Sequence, residues 1–133
     1  MKRFAILFSC FALIASPVLA TSTFNKQWKE TYLSGDDVNE DFVKTARKAG
    51  CYVCHVKGED KKKVRNEYGK AVNEFLKAED FPKDYVTANP EEAAKKITEG
   101  LKKAGEKKSK DGKEFAAKIK NSELPATDAG LDD

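Results

Sequence analysis

Five consecutive residues, Cys51-Tyr52-Val53-Cys54-His55, constrain this chain more than the rest of its 133 residues. A Cys-x-x-Cys-His run is the attachment signature of c-type haem. Two thiols add across the vinyl groups at one edge of the macrocycle, and the adjoining imidazole becomes the proximal ligand of the iron. A chain with one such run must fold around a large, flat, apolar body held at that point. On this reading Cys51 and Cys54 carry one covalent haem c per chain, and His55 ligates its iron.

The start of the chain sets the compartment. Met1-Lys2-Arg3 is followed by an apolar run from Phe4 to Ala15 and then by Ser16-Pro17-Val18-Leu19-Ala20. A short basic stretch, about a dozen apolar residues and small residues before a polar segment are the pattern of a cleaved secretory signal. Val18 and Ala20 suit the positions ahead of the cut. Residues 1–20 are therefore expected to be a signal peptide, with a mature chain starting at Thr21 in the periplasm or otherwise exported. The apolar run falls short of the roughly 20 residues a transmembrane helix needs, and no second run follows. A lipoprotein signal at Cys10 is the competing reading, with an unusually short apolar stretch ahead of the cysteine.

Removal of residues 1–20 leaves Cys51 and Cys54 as the only cysteines, His55 as the only histidine and no methionine. Two cysteines in an oxidising compartment also admit a plain disulfide. A thioredoxin-like pair would expect a βαβ setting. Structural zinc would want four protein ligands, one more than the Cys and His available. Export, the immediately adjacent histidine and the isolation of the motif favour haem, with the disulfide as its main rival.

The mature 113 residues are a single-domain length. Their charge is near balance, 23 Lys and Arg against 22 Asp and Glu, but it is laid out in blocks. Residues 21–43 carry a net −3, residues 44–120 a net +8, and residues 121–133 a net −4. Such asymmetry can steer an oppositely charged partner, although interleaved Glu and Lys also make ordinary solvated helix faces. Nucleic acid has no counterpart in an exported chain without an aromatic-basic motif.

The apolar pattern predicts helices and no strands, an all-α fold. Phe24, Trp28 and Tyr32 share one helical face, and Ser34-Gly35-Asp36-Asp37 breaks that element. A second helix is expected from Asn39 to Ala49, with Phe42, Val43 and Ala46 inward and Gly50 ending it at the motif. The stripe Val64, Tyr68, Ala71, Val72, Phe75 and Leu76 predicts a third helix over 60–77. Phe81-Pro82 and Tyr85 fall in a loop. Asn89-Pro90-Glu91-Glu92 reads as a helix start with Asn as cap and Pro at the first position, and that helix runs to Gly105. Glu106 to Gly112 reads as an exposed loop, followed by a short helix with Phe115 and Ile119 that Leu124-Pro125 closes. Residues 21–125 thus form one domain, and residues 126–133 are expected to be a disordered acidic tail.

An all-helical domain with one Cys-x-x-Cys-His after an early helix resembles a class I cytochrome c. The chain is also similar to small exported bacterial single-haem proteins with a cytochrome c domain. The similarity lies in Cys51 to Lys57, in Arg65-Asn66-Glu67-Tyr68-Gly69-Lys70-Ala71 and in the closing Leu124-Pro125. It spans most of residues 39–125, and only the haem motif within it is highly specific. The resemblance implies covalent haem at Cys51 and Cys54 and iron ligation by His55. The Asn66–Tyr68 block either lines the haem pocket or packs as an ordinary amphipathic stripe.

One departure bears on mechanism. Class I cytochromes place a Met sulfur on the distal side of the iron, and the mature chain has none. The distal site is empty, holds water, or takes an unusual donor such as Lys, Tyr or Asn; a second subunit could also supply it. Lysine would have to ligate as the neutral amine. Tyr68 and Tyr85 are the tyrosines to test, each with packing as its plainer role, and the distal ligand is left unassigned. Two functions follow. One is an electron carrier, not an enzyme, passing single electrons between exported redox partner proteins, acidic ones in particular. The other is a five-coordinate haem protein binding a small gas, NO or CO. A peroxidase would want a distal acid–base residue, and no histidine remains to serve.

Overall fold

The computed structural model describes residues 18–131; residues 1–17 of the expected signal and the last two residues of the expected tail lie outside it. Six α-helices carry the fold: α1 Val18–Tyr32, α2 Glu40–Ala49, α3 Glu67–Phe75, α4 Lys83–Ala88, α5 Pro90–Gly105 and α6 Phe115–Lys120. Short 3-10 turns span Gly50–Val53 and Ala78–Asp80. Among the described residues β pairing is limited to two isolated bridges, His55 with Arg65 and Lys108 with Glu114. The fold is all-α. The first turn of α1 crosses the expected cleavage point, so a chain starting at Thr21 would begin inside this helix.

α5 is the hub, packing against α1, α3, α4 and α6. Its inward face is Ala93, Ile97, Gly100, Leu101, Ala104 and Gly105, a row of small residues interrupted by two branched ones. Small residues let neighbouring helices approach closely, and Ile97 and Leu101, at most 1 % exposed, fill the centre. Around them lie Trp28 of α1, Tyr68 and Val72 of α3, and Phe115 and Ile119 of α6, all buried. The Tyr68 and Phe115 rings meet edge to face at 5.1 Å, the arrangement aromatic quadrupoles favour.

Local signals explain most boundaries. The Asn39 side chain accepts from the Asp41 and Phe42 N–H groups at 2.9 and 3.1 Å, which caps α2. Glu40 and Asp41 in its first turn and Arg47 and Lys48 in its last complement the helix dipole. Two expectations change. Asn89 does not cap α5: its amide donates to the Tyr85 carbonyl at 3.2 Å, serving the end of α4 instead. The segment around Pro82 and Tyr85 is not a loop but leads into α4, for which Pro82 just ahead and Asp84 in the first turn are the start signals.

The third helix is shorter than its stripe predicts. Residues 60–66 form a turn in which the Asp60 carbonyl accepts from the Lys63 and Val64 N–H groups and its carboxylate from Lys62 N–H. A side chain that satisfies the local backbone in this way competes with helix. Phe75, expected inside, is 38 % exposed, and the Lys107 ammonium lies over its ring, 5.6 Å from the centroid. Its neighbour Leu76 turns inward instead, at 4 % exposed.

Residues 126–131 also differ from the expectation of disorder. Pro125 and Ala129 are buried, and the segment is tied down along its length. Lys57 N–H donates to the Ala129 carbonyl at 2.8 Å, and Glu67 N–H to the Asp128 carboxylate at 2.8 Å. The Glu67 carboxylate in turn accepts from Thr127 N–H and hydroxyl at 2.7 and 2.8 Å, from the Ser109 hydroxyl at 2.9 Å and from Lys110 N–H at 2.7 Å. Composition marked this segment as solvated, but Thr127 donates to the Glu67 carboxylate and Asp128 accepts from Glu67 N–H and the Lys110 ammonium, pairings that sequence spacing does not reveal.

Burial alone would push the Glu67 carboxyl up, but the hydrogen bonds from Thr127, Lys110 and Ser109 together hold it below its ordinary value. A carboxyl with a depressed folded-state pKa contributes stability that is present above the unfolded value of about 4.3 and lost as pH falls through the folded value. Glu67→Gln is therefore expected to lower Tm at pH 7, with the gap from wild type closing between about pH 5 and pH 3. A gap that stays constant over that range in thermal melts would contradict this role for Glu67.

Candidate functional site

The motif sits where α2 hands over to α3. Gly50 ends α2 with φ +54°, a backbone conformation that a side chain resists, and this turns the chain into the 3-10 turn that carries Cys51. The Cys54 and His55 N–H groups both donate to the Cys51 carbonyl, at 3.2 and 3.1 Å. Cys51 is thereby left exposed, Cys54 half-buried and His55 buried. Both cysteines are free thiols. Burial pushes the Cys54 thiol up to about 12, with Cys51 adding to the rise and Arg65 opposing it. At neutral pH Cys54 is thus a thiol, a poor start for thiolate chemistry.

Residues 64–66 run antiparallel to the motif and fix it. His55 Nδ1 lies 3.0 Å from the Val64 carbonyl. A carbonyl can only accept, so Nδ1 carries the proton and Nε2 keeps its lone pair in the neutral ring. This is the orientation by a backbone acceptor that metal-bound histidines use. Asn66 N–H donates to the Cys54 carbonyl at 3.1 Å. Its side-chain amide reaches the carbonyls of Tyr52, Val53 and His55 at 3.0, 3.0 and 3.2 Å. Its side-chain oxygen accepts from Gly69 N–H at 2.8 Å and caps α3. Sequence reading singled out Asn66 as a pocket wall or a packing residue; it is the fastener between the motif loop and α3.

Gly69 makes that closeness possible, since a Cβ at this position would overlap the Cys54 carbonyl oxygen. A cavity of about 900 Å³ opens beside the motif, within the range of small-molecule and cofactor sites. Cys51, Cys54 and His55 all line it. Its apolar walls include Phe24 and Trp28 of α1, Ala46 of α2, Val72 of α3, Leu76 just beyond that helix and Leu101 of α5. Six bases also line it, Lys26, Lys29, Arg47, Lys61, Lys62 and Arg65, against one acid, Glu30. Lys61 lies over the Tyr52 ring at 4.8 Å, and Lys26 is 3.8 Å from Glu30.

The two tyrosines singled out as distal candidates are elsewhere. Tyr68 is fully buried under α1 and accepts from the Trp28 indole at 3.1 Å. Tyr85 takes a hydrogen bond from Lys96 at 3.0 Å and packs on Phe81. Apart from the motif, none of the described residues lining the cavity is His, Cys, Met or Tyr. Among the described residues no three His, Cys, Asp or Glu gather as a metal-ion site, which gives structural zinc no set of ligands. No helix there is long and apolar enough to cross a membrane. No family model, curated protein or solved structure matches the chain.

Gly69 offers a test of this assembly. In an open helix, Gly→Ala adds about 1 kcal/mol of stability. Here the added methyl meets backbone, and overpacking costs about 1–3 kcal/mol. Gly69→Ala is expected to lower the denaturation midpoint, and a stabilised variant would show that the motif and α3 are not in this contact.

Proposed function

We propose that this chain is an exported monohaem c-type cytochrome, with a class I cytochrome c-like helical domain, that transfers single electrons between redox partner proteins. The observation that carries the reading is the coincidence of three things at one cavity: both thiols of the motif, the imidazole whose Nε2 is left free by the Val64 hydrogen bond, and apolar walls. The donor set fits haem c. Cys51 and Cys54 would hold it by thioether bonds and His55 Nε2 would ligate the iron, and the group supplies the reversible one-electron couple. The protein's part is to anchor one edge, hold the imidazole in one tautomer and keep water from the apolar face. The Val64 carbonyl polarises the His55 ring toward imidazolate and so stabilises the more oxidised iron. The basic lining of the cavity supports acidic partner surfaces.

A second reading, binding of NO or CO, is favoured by one observation. Outside the motif the described residues of the cavity wall offer no thioether, imidazole or phenol, and its lysines are donors only when deprotonated. Spectra of the reduced protein with and without CO separate the two. The carrier reading expects a low-spin spectrum that CO leaves unchanged. A high-spin reduced form that takes up CO rapidly would contradict it in favour of gas binding. His55→Ala is expected to abolish the native spectrum in either case, and a variant that keeps it would remove His55 as the ligand.

A further inference from the structure

Three redox-capable side chains form a line of contacts beside the cavity, with Trp28 between Tyr68 and Tyr32. Trp28, which lines the cavity and is 3 % exposed, donates its indole N–H to the Tyr68 oxygen at 3.1 Å. The Tyr68 hydroxyl is fully buried. The Tyr32 hydroxyl donates to the Leu101 carbonyl at 3.1 Å. The Trp28 and Tyr32 rings are also 5.5 Å apart, centroid to centroid. Tyr32 is half-buried and is the member of the line that reaches solvent.

We infer that Trp28 and Tyr32 form a relay that carries oxidising equivalents from the cavity to the protein surface. Indole and phenol are, with thiols, the side chains most readily oxidised by one electron. A core that needed only bulk here would be served by Phe, with no polar atoms to satisfy. Burial raises both phenols above their ordinary pKa, so each is neutral and can lose an electron only with its proton. Tyr68 is enclosed and has the Trp28 indole nitrogen as its partner, so a proton it lost would go no further. Tyr32 can release its own to water, so the electron vacancy comes to rest there.

The inference rests on the haem reading for its oxidant, a hydroperoxide. With hydrogen peroxide the step balances as follows. With haem attached, ferrous iron would give one electron and Tyr32 would give one through Trp28. The O–O bond breaks, and the two oxygens leave as water. Tyr32 loses its phenolic proton and becomes the neutral tyrosyl radical, and one further proton comes from solvent.

Two measurements test the relay, one of them independent of haem. Trp28 is the only tryptophan, so laser photoionisation of the full chain places the first radical there. Conversion of the indolyl to the tyrosyl absorbance is expected in wild type and is expected to slow at least tenfold in Tyr32→Phe. An indolyl radical that decays without tyrosyl formation, or at the same rate in the variant, would overturn the relay. Tyr32 sits at the half-buried end, so this test does not depend on a Tyr68 variant folding. In the haem-loaded protein, peroxide is expected to give a tyrosyl electron paramagnetic resonance signal and oxidation mapped to Tyr32, with the Soret band bleaching several-fold faster in Trp28→Phe. Equal bleaching with no tyrosyl signal would disconnect the relay from the cavity. Absence of attached haem would defeat the proposed function, while the photoionisation result would still decide the relay.

Discussion

The fold around the motif depends on one buried amide. Asn66 is completely enclosed, and every polar atom of its side chain is used: three carbonyls of the motif loop on one side, the first turn of α3 on the other. α2 ends at Gly50 and the motif continues as a 3-10 turn, so its carbonyls need donors from elsewhere. Asn66 provides them and fixes where α3 begins. Its removal would orphan several buried groups together, each of which costs about 1–3 kcal/mol when unpaired. α3 in turn packs on α5, so the amide couples the motif to the centre of the molecule.

Most of the helical framework was legible from residues. The stripe Phe24, Trp28, Tyr32, the Asn39 cap and the Asn89-Pro90 start placed α1, α2 and α5, because each signal is local. What was not legible depends on contacts distant in sequence. The run Lys61-Lys62-Lys63 favours helix by propensity, but Asp60 and the demand of His55 for the Val64 carbonyl hold it in a turn. Phe75 leaves the core while Leu76 stays in it, because α3 ends between them. The segment 126–131 looked solvated because its acceptor, Glu67, lies about sixty residues earlier. The site itself was half legible: the motif named Cys51, Cys54 and His55, while Val64 and Gly69, which orient and seat them, carry no signal in a single sequence.

A site built this way is asymmetric. One side of the cavity is over-determined, with the His55 tautomer, the motif carbonyls and the α3 start all fixed by hydrogen bonds. The remaining walls are apolar or basic, and neither Tyr68 nor Tyr85 reaches them. Tyr68 instead accepts from the Trp28 indole, whose ring packs on Tyr32, and the Tyr32 hydroxyl donates to the Leu101 carbonyl. The proposed electron carriage would make use of both features, a rigid side that holds the imidazole and an apolar surround that limits solvent reorganisation.

The central claim, that this cavity is built to take covalent haem at the motif, is tested most directly by intact-mass spectrometry with peptide mapping. The protein would be exported in a host that carries haem-maturation machinery. The account predicts one haem per chain, bonded through both sulfurs of the peptide containing Cys51 and Cys54. A chain of unmodified mass, or one with those two cysteines joined to each other, would contradict it.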